Sequence, residues 1–197
     1  MNDGGRRDTP GSHEFGVVGS RTVYSGAILA LRLDDVTMPG GRVAEREVVE
    51  HFGAVAVVAV DDDGRVAMVR QYRHPVGRRL LEIPAGLLDA SSSESPVDAA
   101  RRELAEEVDL AADRWEVLVD LVLSPGFTDE ALRLYLARGL HELPAASRDD
   151  EEADMAVEWV DLDAAADLVL AGEIVNATAV AGILAAVRAR TVDEPLR

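Results

Sequence analysis

The chain has no cysteine, few aromatic residues and a shortage of positive charge. Among its 197 residues, Phe, Trp and Tyr together make up only 4%. Without cysteine, disulfides and thiolate chemistry are excluded. Lys and Arg number 20 against 37 Asp and Glu, which gives a net charge of −17. Because no basic block is present to neutralise phosphates, we expect neither a nucleic-acid partner nor binding to an anionic membrane.

Membrane and zinc signals are also missing. The four His residues are scattered along the sequence and do not have the spacing of a zinc site. No run of about eighteen apolar residues is present, so no transmembrane helix is expected. The first residues lack the apolar segment of a secretory signal. These absences together predict a cytoplasmic protein.

The residues that are present predict one main domain with an N-terminal addition. Apolar residues make up 48% of the chain, which is enough for a substantial core. Residues 1–15 are polar and Gly-rich and are expected to be a disordered tail. Residues 16–51 have a β pattern, in which Ala27–Met38 and Val43–His51 form a hairpin. Residues 52–197 then form the main domain.

The main domain alternates between strands and helices. The run Gly53–Val60 is continuously apolar, as expected of a buried central strand. A helix follows, with Ser95 as N-cap and Pro96 at its first position. Further strands are predicted at Val66–Tyr72, Leu80–Gly86, Trp115–Val122, Leu132–Ala137 and Met155–Val160, and two closing helices at Leu162–Leu170 and Asn176–Ala189. The last helix is apolar on most faces and should be buried. This order predicts an α/β sandwich with a mixed sheet.

One stretch, Glu94–Leu110, concentrates acidic residues on a helix that also has an apolar side. At 100 degrees per residue, Glu107 lies about 40 degrees from Glu103, and Glu106 lies on the other side at about 300 degrees. The apolar residues fall at roughly 60 to 140 degrees and are Val97, Ala100, Leu104 and Val108. The apolar side can therefore be buried while the acids lie at the rim of the core.

These acids require a counter-charge, because like charges at neighbouring helical positions destabilise a helix. Arg102, four residues before Glu106, offsets part of the repulsion. Mg²⁺ suits the remainder, since it prefers oxygen ligands and usually binds a few carboxylates together with substrate phosphates. The alternative is a solvated acidic face that binds nothing.

The spacing of the segment resembles the Nudix box, which favours the metal site over the solvated face. The match comprises Glu94, the seven-residue gap, Arg102, Glu103, Leu104, Glu106, Glu107 and Leu110. Seven residues instead of five separate Gly86 from Glu94, so the intervening loop is two residues longer. Asp109 replaces the final Gly, at a position where the left-handed conformation is expected and Asp is an acceptable substitute. The resemblance implies a Nudix-type α/β/α sandwich.

Three further segments resemble the ADP-ribose pyrophosphatase branch of that family. They are Gln71–Pro75, Leu80–Asp89 and Pro125–Glu130, with Pro125 sixteen residues after Asp109. The resemblance implies metal binding by Glu103 and Glu107, with Glu106 as a third acid, and by the Ala85 carbonyl.

The same resemblance implies further site residues outside the box helix. A Glu from an acidic loop activates water or binds metal, and Glu152 fits best, with Glu151 second. Arg73 and the Pro125 loop would bind substrate. Arg46 would do so from the partner subunit of a homodimer that is built through the N-terminal β segment.

The resemblance implies Mg²⁺-dependent hydrolysis of the ADP-ribose diphosphate to AMP and ribose 5-phosphate, with Mn²⁺ as a possible substitute metal. Two alternatives remain open at this point. The substrate could be another nucleoside diphosphate derivative, such as a nucleotide sugar, because the box determines only the diphosphate chemistry. The domain could instead bind ADP-ribose as a non-catalytic sensor, although such domains usually lose the box acids that are all present here.

Overall fold

The computed structural model describes residues 11–88, 93–145 and 154–193, with side chains up to residue 190. The chain divides into two compact units. The first contains residues up to Phe52 together with Val122–Glu130, and the second contains Gly53–Leu121 together with the chain from Ala131 onward. Residues 1–10 of the predicted tail lie outside the described residues.

The first unit is an antiparallel three-stranded sheet with the strand order β1-β2-β3. Its strands are β1 (Val17–Ser25), β2 (Leu29–Thr37) and β3 (Val43–His51). The turn between β2 and β3 places Gly40 and Gly41 at φ values of 86° and 81°, a conformation that glycine adopts without a steric penalty. The predicted hairpin is therefore confirmed, and its first strand begins at Leu29.

A buried acid, Asp34, is fully paired inside this sheet. It is 5% exposed, accepts a 2.7 Å hydrogen bond from the Ser20 hydroxyl and pairs with Arg32 at 2.9 Å. The hydrogen bond from Ser20 and then the Arg32 guanidinium lower the pKa of this carboxyl. Because a buried carboxylate is tolerated only when it is paired, these contacts explain an acidic residue at the centre of a strand.

The second unit is built on a seven-stranded mixed sheet. Its strands are β4 (Ala54–Val60), β5 (Arg65–Arg73), β6 (Arg78–Glu82), β7 (Ala85–Leu87), β8 (Leu110–Val122), β9 (Ala131–Glu142) and β10 (Ala156–Asp161). The main order is β10-β5-β4-β9-β8, with β6 beside β5 and β7 beside β4. The β4–β9 pair is parallel, whereas β4–β7 and β5–β6 are antiparallel.

Helices cover both faces of this sheet. They are α1 (Pro96–Val108), α2 (Leu162–Leu170) and α3 (Ala177–Asp193). Successive residues of a strand point to opposite faces. Val57 of β4 packs in one core cluster with Leu104 of α1, whereas a Cβ added to Gly182 of α3 would lie 2.9 Å from Val58. The predicted α/β/α sandwich with a mixed sheet is confirmed, and β4 is its buried central strand.

The predicted strand Leu80–Gly86 is wrong, because the structure divides it. β6 pairs with β5, and β7 pairs with β4. Pro84 lies between them and has no N–H to donate to a ladder, while its carbonyl accepts a 2.8 Å hydrogen bond from the Val57 amide. The chain therefore changes strand partner at this proline.

Several other boundaries differ from the predicted ones. β8 begins at Leu110 instead of Trp115, and β9 continues to Glu142 instead of Ala137. The additional residues include charged ones, so a search for apolar runs does not assign them to a strand. α3 is buried along one side only, since Leu184 is 40% exposed. No helix within the described residues is both long and apolar enough to span a membrane.

Candidate metal and substrate site

The ends of α1 are determined by its sequence. The Ser95 side chain accepts a hydrogen bond from the Asp98 amide, and Pro96 occupies the first turn, as predicted. Its C-cap residue, Asp109, has φ 54° and ψ 39°, which is the left-handed conformation expected for the residue that replaces the box Gly. Both ends thus agree with the sequence-based prediction.

Two of the box acids are buried beside the core of α1. Glu103 is 8% exposed and Glu107 is 5% exposed. Leu104 and Val108 on the same helix belong to the hydrophobic cluster beneath them. The third acid, Glu106, has a side chain that is 46% exposed. The prediction of acids at the rim of the core is therefore confirmed, with Glu103 and Glu107 as the inner pair.

The strand β7 lies directly against this inner pair. The Ala85 amide donates a 3.0 Å hydrogen bond to Oε2 of Glu107. A Cβ added to Gly86 would lie 2.0 Å from the carboxyl carbon of Glu103, a distance at which no side chain fits. The glycine therefore allows the Glu103 carboxylate to approach the backbone, and α1 and β7 bring two carboxylates and the Ala85 main chain together.

Arg102 supplies a counter-charge at the flank of the site. Its Nη1 atom lies 2.6 Å from Glu103 and 2.9 Å from Glu106, and its Nε atom lies 3.4 Å from Glu94. Burial alone would lower the pKa of this guanidinium, but its interactions with Glu103, Glu106 and Glu94 raise it above the ordinary value. The cation therefore remains charged and offsets part of the repulsion among three acids.

Arg73 forms an ion pair at the end of β5. Its Nη2 atom lies 2.8 Å from Oε2 of Glu82, and its Nε atom donates to Oε1 at 3.1 Å. The Glu82 side chain is 2% exposed, whereas the Arg73 side chain is 40% exposed. A bidentate contact of this kind fixes the plane of a guanidinium. The buried Glu82 therefore orients the Arg73 guanidinium, which solvent can reach.

The sequence-based interpretation did not assign a site role to Glu82. The signal was available, because Glu82 is the one charged residue in the run Leu80–Gly86. A carboxylate in such a run requires a partner. The ion pair between Arg102 and Glu94 was also not predicted, since the two residues are eight positions apart in the sequence.

The other predicted site residues lie in the first unit or outside the described residues. Glu151 and Glu152 lie outside the described residues. Arg46 and Pro125 belong to the first unit. The Arg46 guanidinium donates to the Glu45 carbonyl at 2.9 Å, and Pro125 is exposed in the segment between β8 and β9.

The donor set suits a hard divalent cation. Within the described ranges, no group of three or more His, Cys, Asp or Glu side chains is arranged to hold a metal ion. Two carboxylates and a backbone carbonyl are nevertheless oxygen donors of the kind that Mg²⁺ prefers, with water and substrate completing its shell. The absence of a side chain at Gly86 lets the Glu103 carboxylate lie against the Ala85–Gly86 backbone, which brings these oxygen donors close together.

Two domain families match this chain over separate ranges. Residues 50–180 match the NUDIX domain, and residues 17–49 match the nucleoside diphosphate sugar hydrolase N-terminal domain. An ADP-ribose pyrophosphatase of Mycobacterium tuberculosis is 57% identical over 88% of this chain and 83% of its own length.

Two other relatives extend the comparison. A methanol dehydrogenase activator of Bacillus methanolicus is 41% identical over 71% of this chain and 72% of its own length. An ADP-ribose pyrophosphatase of Bacillus subtilis is 38% identical over 84% of this chain and 89% of its own length.

A solved structure supports the fold. The crystal structure of an ADP compounds hydrolase has a TM-score of 0.79 and 20% identity, over 93% of this chain and 98% of that one. At this identity the likeness concerns the fold alone. The domain matches and the sequence relatives together show that the chain belongs to the Nudix hydrolase family.

Proposed function

We propose that this protein is a Mg²⁺-dependent ADP-ribose diphosphatase that releases AMP and ribose 5-phosphate. The observation that carries the proposal is the pairing of buried Glu103 and Glu107 with the Ala85–Gly86 backbone. The substrate is supported by the relatives from M. tuberculosis and B. subtilis, both named ADP-ribose pyrophosphatase.

Glu103 and Glu107 would hold the metal through their carboxylates, and Ala85 would do so through its carbonyl. Nudix hydrolases generally use a divalent metal, and Mg²⁺ is the ion we propose, with Mn²⁺ as a possible substitute. A bound divalent ion supplies Lewis-acid stabilisation of charge that develops on the phosphate oxygens. In the proposed reaction, water adds to one phosphorus atom and the bond from that phosphorus to the bridging oxygen breaks.

Arg73 would bind the diphosphate. A guanidinium donates to two phosphate oxygens at once, and the contact with Glu82 leaves part of Arg73 accessible. Glu152, or else Glu151, stays the predicted loop acid that activates water or binds metal. The exposed acid Glu106 stays the predicted third box ligand.

One alternative has specific support and a second does not. The match of residues 17–49 to a nucleoside diphosphate sugar hydrolase domain favours a nucleotide sugar as the substrate. A sensor that binds ADP-ribose without cleaving it is less favoured, because Glu103 and Glu107 are retained in contact with β7.

A homodimer built through the N-terminal sheet is also proposed, in which Arg46 would bind substrate at the site of the partner subunit; Pro125 stays a separate prediction for substrate binding. The support is apolar surface on that sheet, where Val17, Val18 and Tyr24 of β1 are 59%, 64% and 59% exposed. Contiguous apolar surface is a mark of protein–protein interfaces. A cytoplasmic location stays a prediction from the sequence.

The first test compares substrates in excess Mg²⁺. We expect kcat/KM for ADP-ribose to exceed that for ATP or dGTP by at least about a hundredfold. A triphosphate would bring more negative charge to a protein that already carries −17. The products would be separated by chromatography and identified as AMP and ribose 5-phosphate. A higher kcat/KM for a UDP-sugar would overturn the substrate assignment and leave the family unchanged.

Gly86→Ala tests the close approach of Glu103 to β7. The new Cβ would displace the Glu103 carboxylate, so we expect a loss of kcat of roughly a hundredfold or more, the scale of removing one electrostatic stabiliser. The matched control is Gly16→Ala, since nothing lies within 4 Å of a Cβ at Gly16. Circular dichroism would verify that both variants are folded. Wild-type activity in Gly86→Ala would show that the position of Glu103 is unimportant.

Light scattering tests the dimer. The mass should be near twice the 21.1 kDa of one chain at micromolar concentration. Val18→Asp should shift the protein toward the monomer, because it places a charge on the exposed apolar strand. Leu170→Asp, at a position 79% exposed on α2, is the control and should not change the mass. A wild-type mass near 21.1 kDa would refute the dimer.

A further inference from the structure

Gln71 lies on the face of β5 that is directed toward α1. Alternate residues of a strand share a face, and Val69, two positions earlier, packs in the same core cluster as Leu104 of α1. Arg73, two positions later, makes the ion pair with Glu82. Gln71 therefore lies between the core beneath α1 and the oriented guanidinium.

The opposite strand supports this placement. In the antiparallel β5–β6 pair, Val69 is opposite Glu82 and Gln71 is opposite Leu80. Residues directly opposite each other in a sheet project to the same face. Glu82, Gln71 and Arg73 are thus on one face, and Ala85, which donates to Glu107, follows Glu82 by three residues.

The nitrogen of the Gln71 side-chain amide is buried without a hydrogen-bond partner in the described part of the chain. The residue is 7% exposed, and its Nε2 atom has no partner there. A buried N–H group that makes no hydrogen bond destabilises the folded state. Folded proteins contain few such groups, so each one calls for an explanation, such as a bound water, an ion or a ligand.

We propose that Gln71 is a substrate-binding residue whose amide donates a hydrogen bond to a diphosphate oxygen beside Arg73. The inference rests on the proposed function, because it takes the diphosphate as the ligand of this face. Phosphate oxygens accept hydrogen bonds, and a neutral amide can donate one without adding charge to the Arg73–Glu82 pair. The stability lost in the free protein is recovered when substrate satisfies the amide.

The test is Gln71→Met, which keeps the length of the side chain and removes its polar atoms. The melting temperature should rise by roughly 3 °C, because a buried unsatisfied group is gone. The value of kcat/KM for ADP-ribose should fall by roughly ten- to a hundredfold, the scale of one hydrogen bond to a charged oxygen. Tyr72→Phe, at the next residue and on the opposite face, is the control and should leave both unchanged.

The combination of the two measurements separates binding from a structural role. Stability that rises while activity falls supports the inference. If both fall, Gln71 holds the fold, and if activity is unchanged, its amide does not bind substrate; either result overturns the inference. If the wild type prefers another diphosphate, the proposed substrate is wrong, and the same comparison on that compound decides the role of Gln71. If no diphosphate is cleaved, both proposals fail.

Discussion

The placement of two like charges, Glu103 and Glu107, is the constraint on which the site depends. They are four residues apart, one helical turn, so both project from the same side of α1. Both are nearly buried in a protein with a net charge of −17. Buried carboxylates are stable only with nearby cations or hydrogen-bond donors. The Ala85 amide and Arg102 supply part of this compensation, and a divalent ion suits the remainder.

The rest of the second unit keeps those charges in place. β4 is buried on both faces, so α1 and α3 can pack on opposite sides of the same strand. Pro84 ends the pairing of β6, and the chain then crosses to β4 as β7. The crossing brings Gly86 under Glu103, where only a residue without a side chain fits. On the adjacent strand, Glu82 fixes Arg73. The groups proposed to bind metal and phosphate are therefore held by strands and a helix.

Periodicity predicted much of this arrangement, because the signals were local. The cap at Ser95 and the burial of Leu104 follow from residues in α1 and next to it, whereas the left-handed Asp109 was expected from the box Gly that it replaces. The split at Pro84 depends on which neighbouring strand each half joins, and a pattern of apolar residues contains no information about strand partners. The ion pair of Glu82 with Arg73 was missed for the same reason, since the two residues meet only through the β5–β6 pairing. The predicted metal ligands and substrate, in contrast, came from the family resemblance and not from any local pattern.

The central claim is that the inner acids of α1 bind the catalytic metal. The most direct measurement is the Mg²⁺ dependence of ADP-ribose hydrolysis for the wild type and for Glu107→Gln. The control is Glu116→Gln, at an exposed position of β8. The account predicts that kcat falls roughly a thousandfold in Glu107→Gln, with a folded protein and no loss in the control. Near-normal turnover of Glu107→Gln at the same Mg²⁺ concentration would contradict the claim.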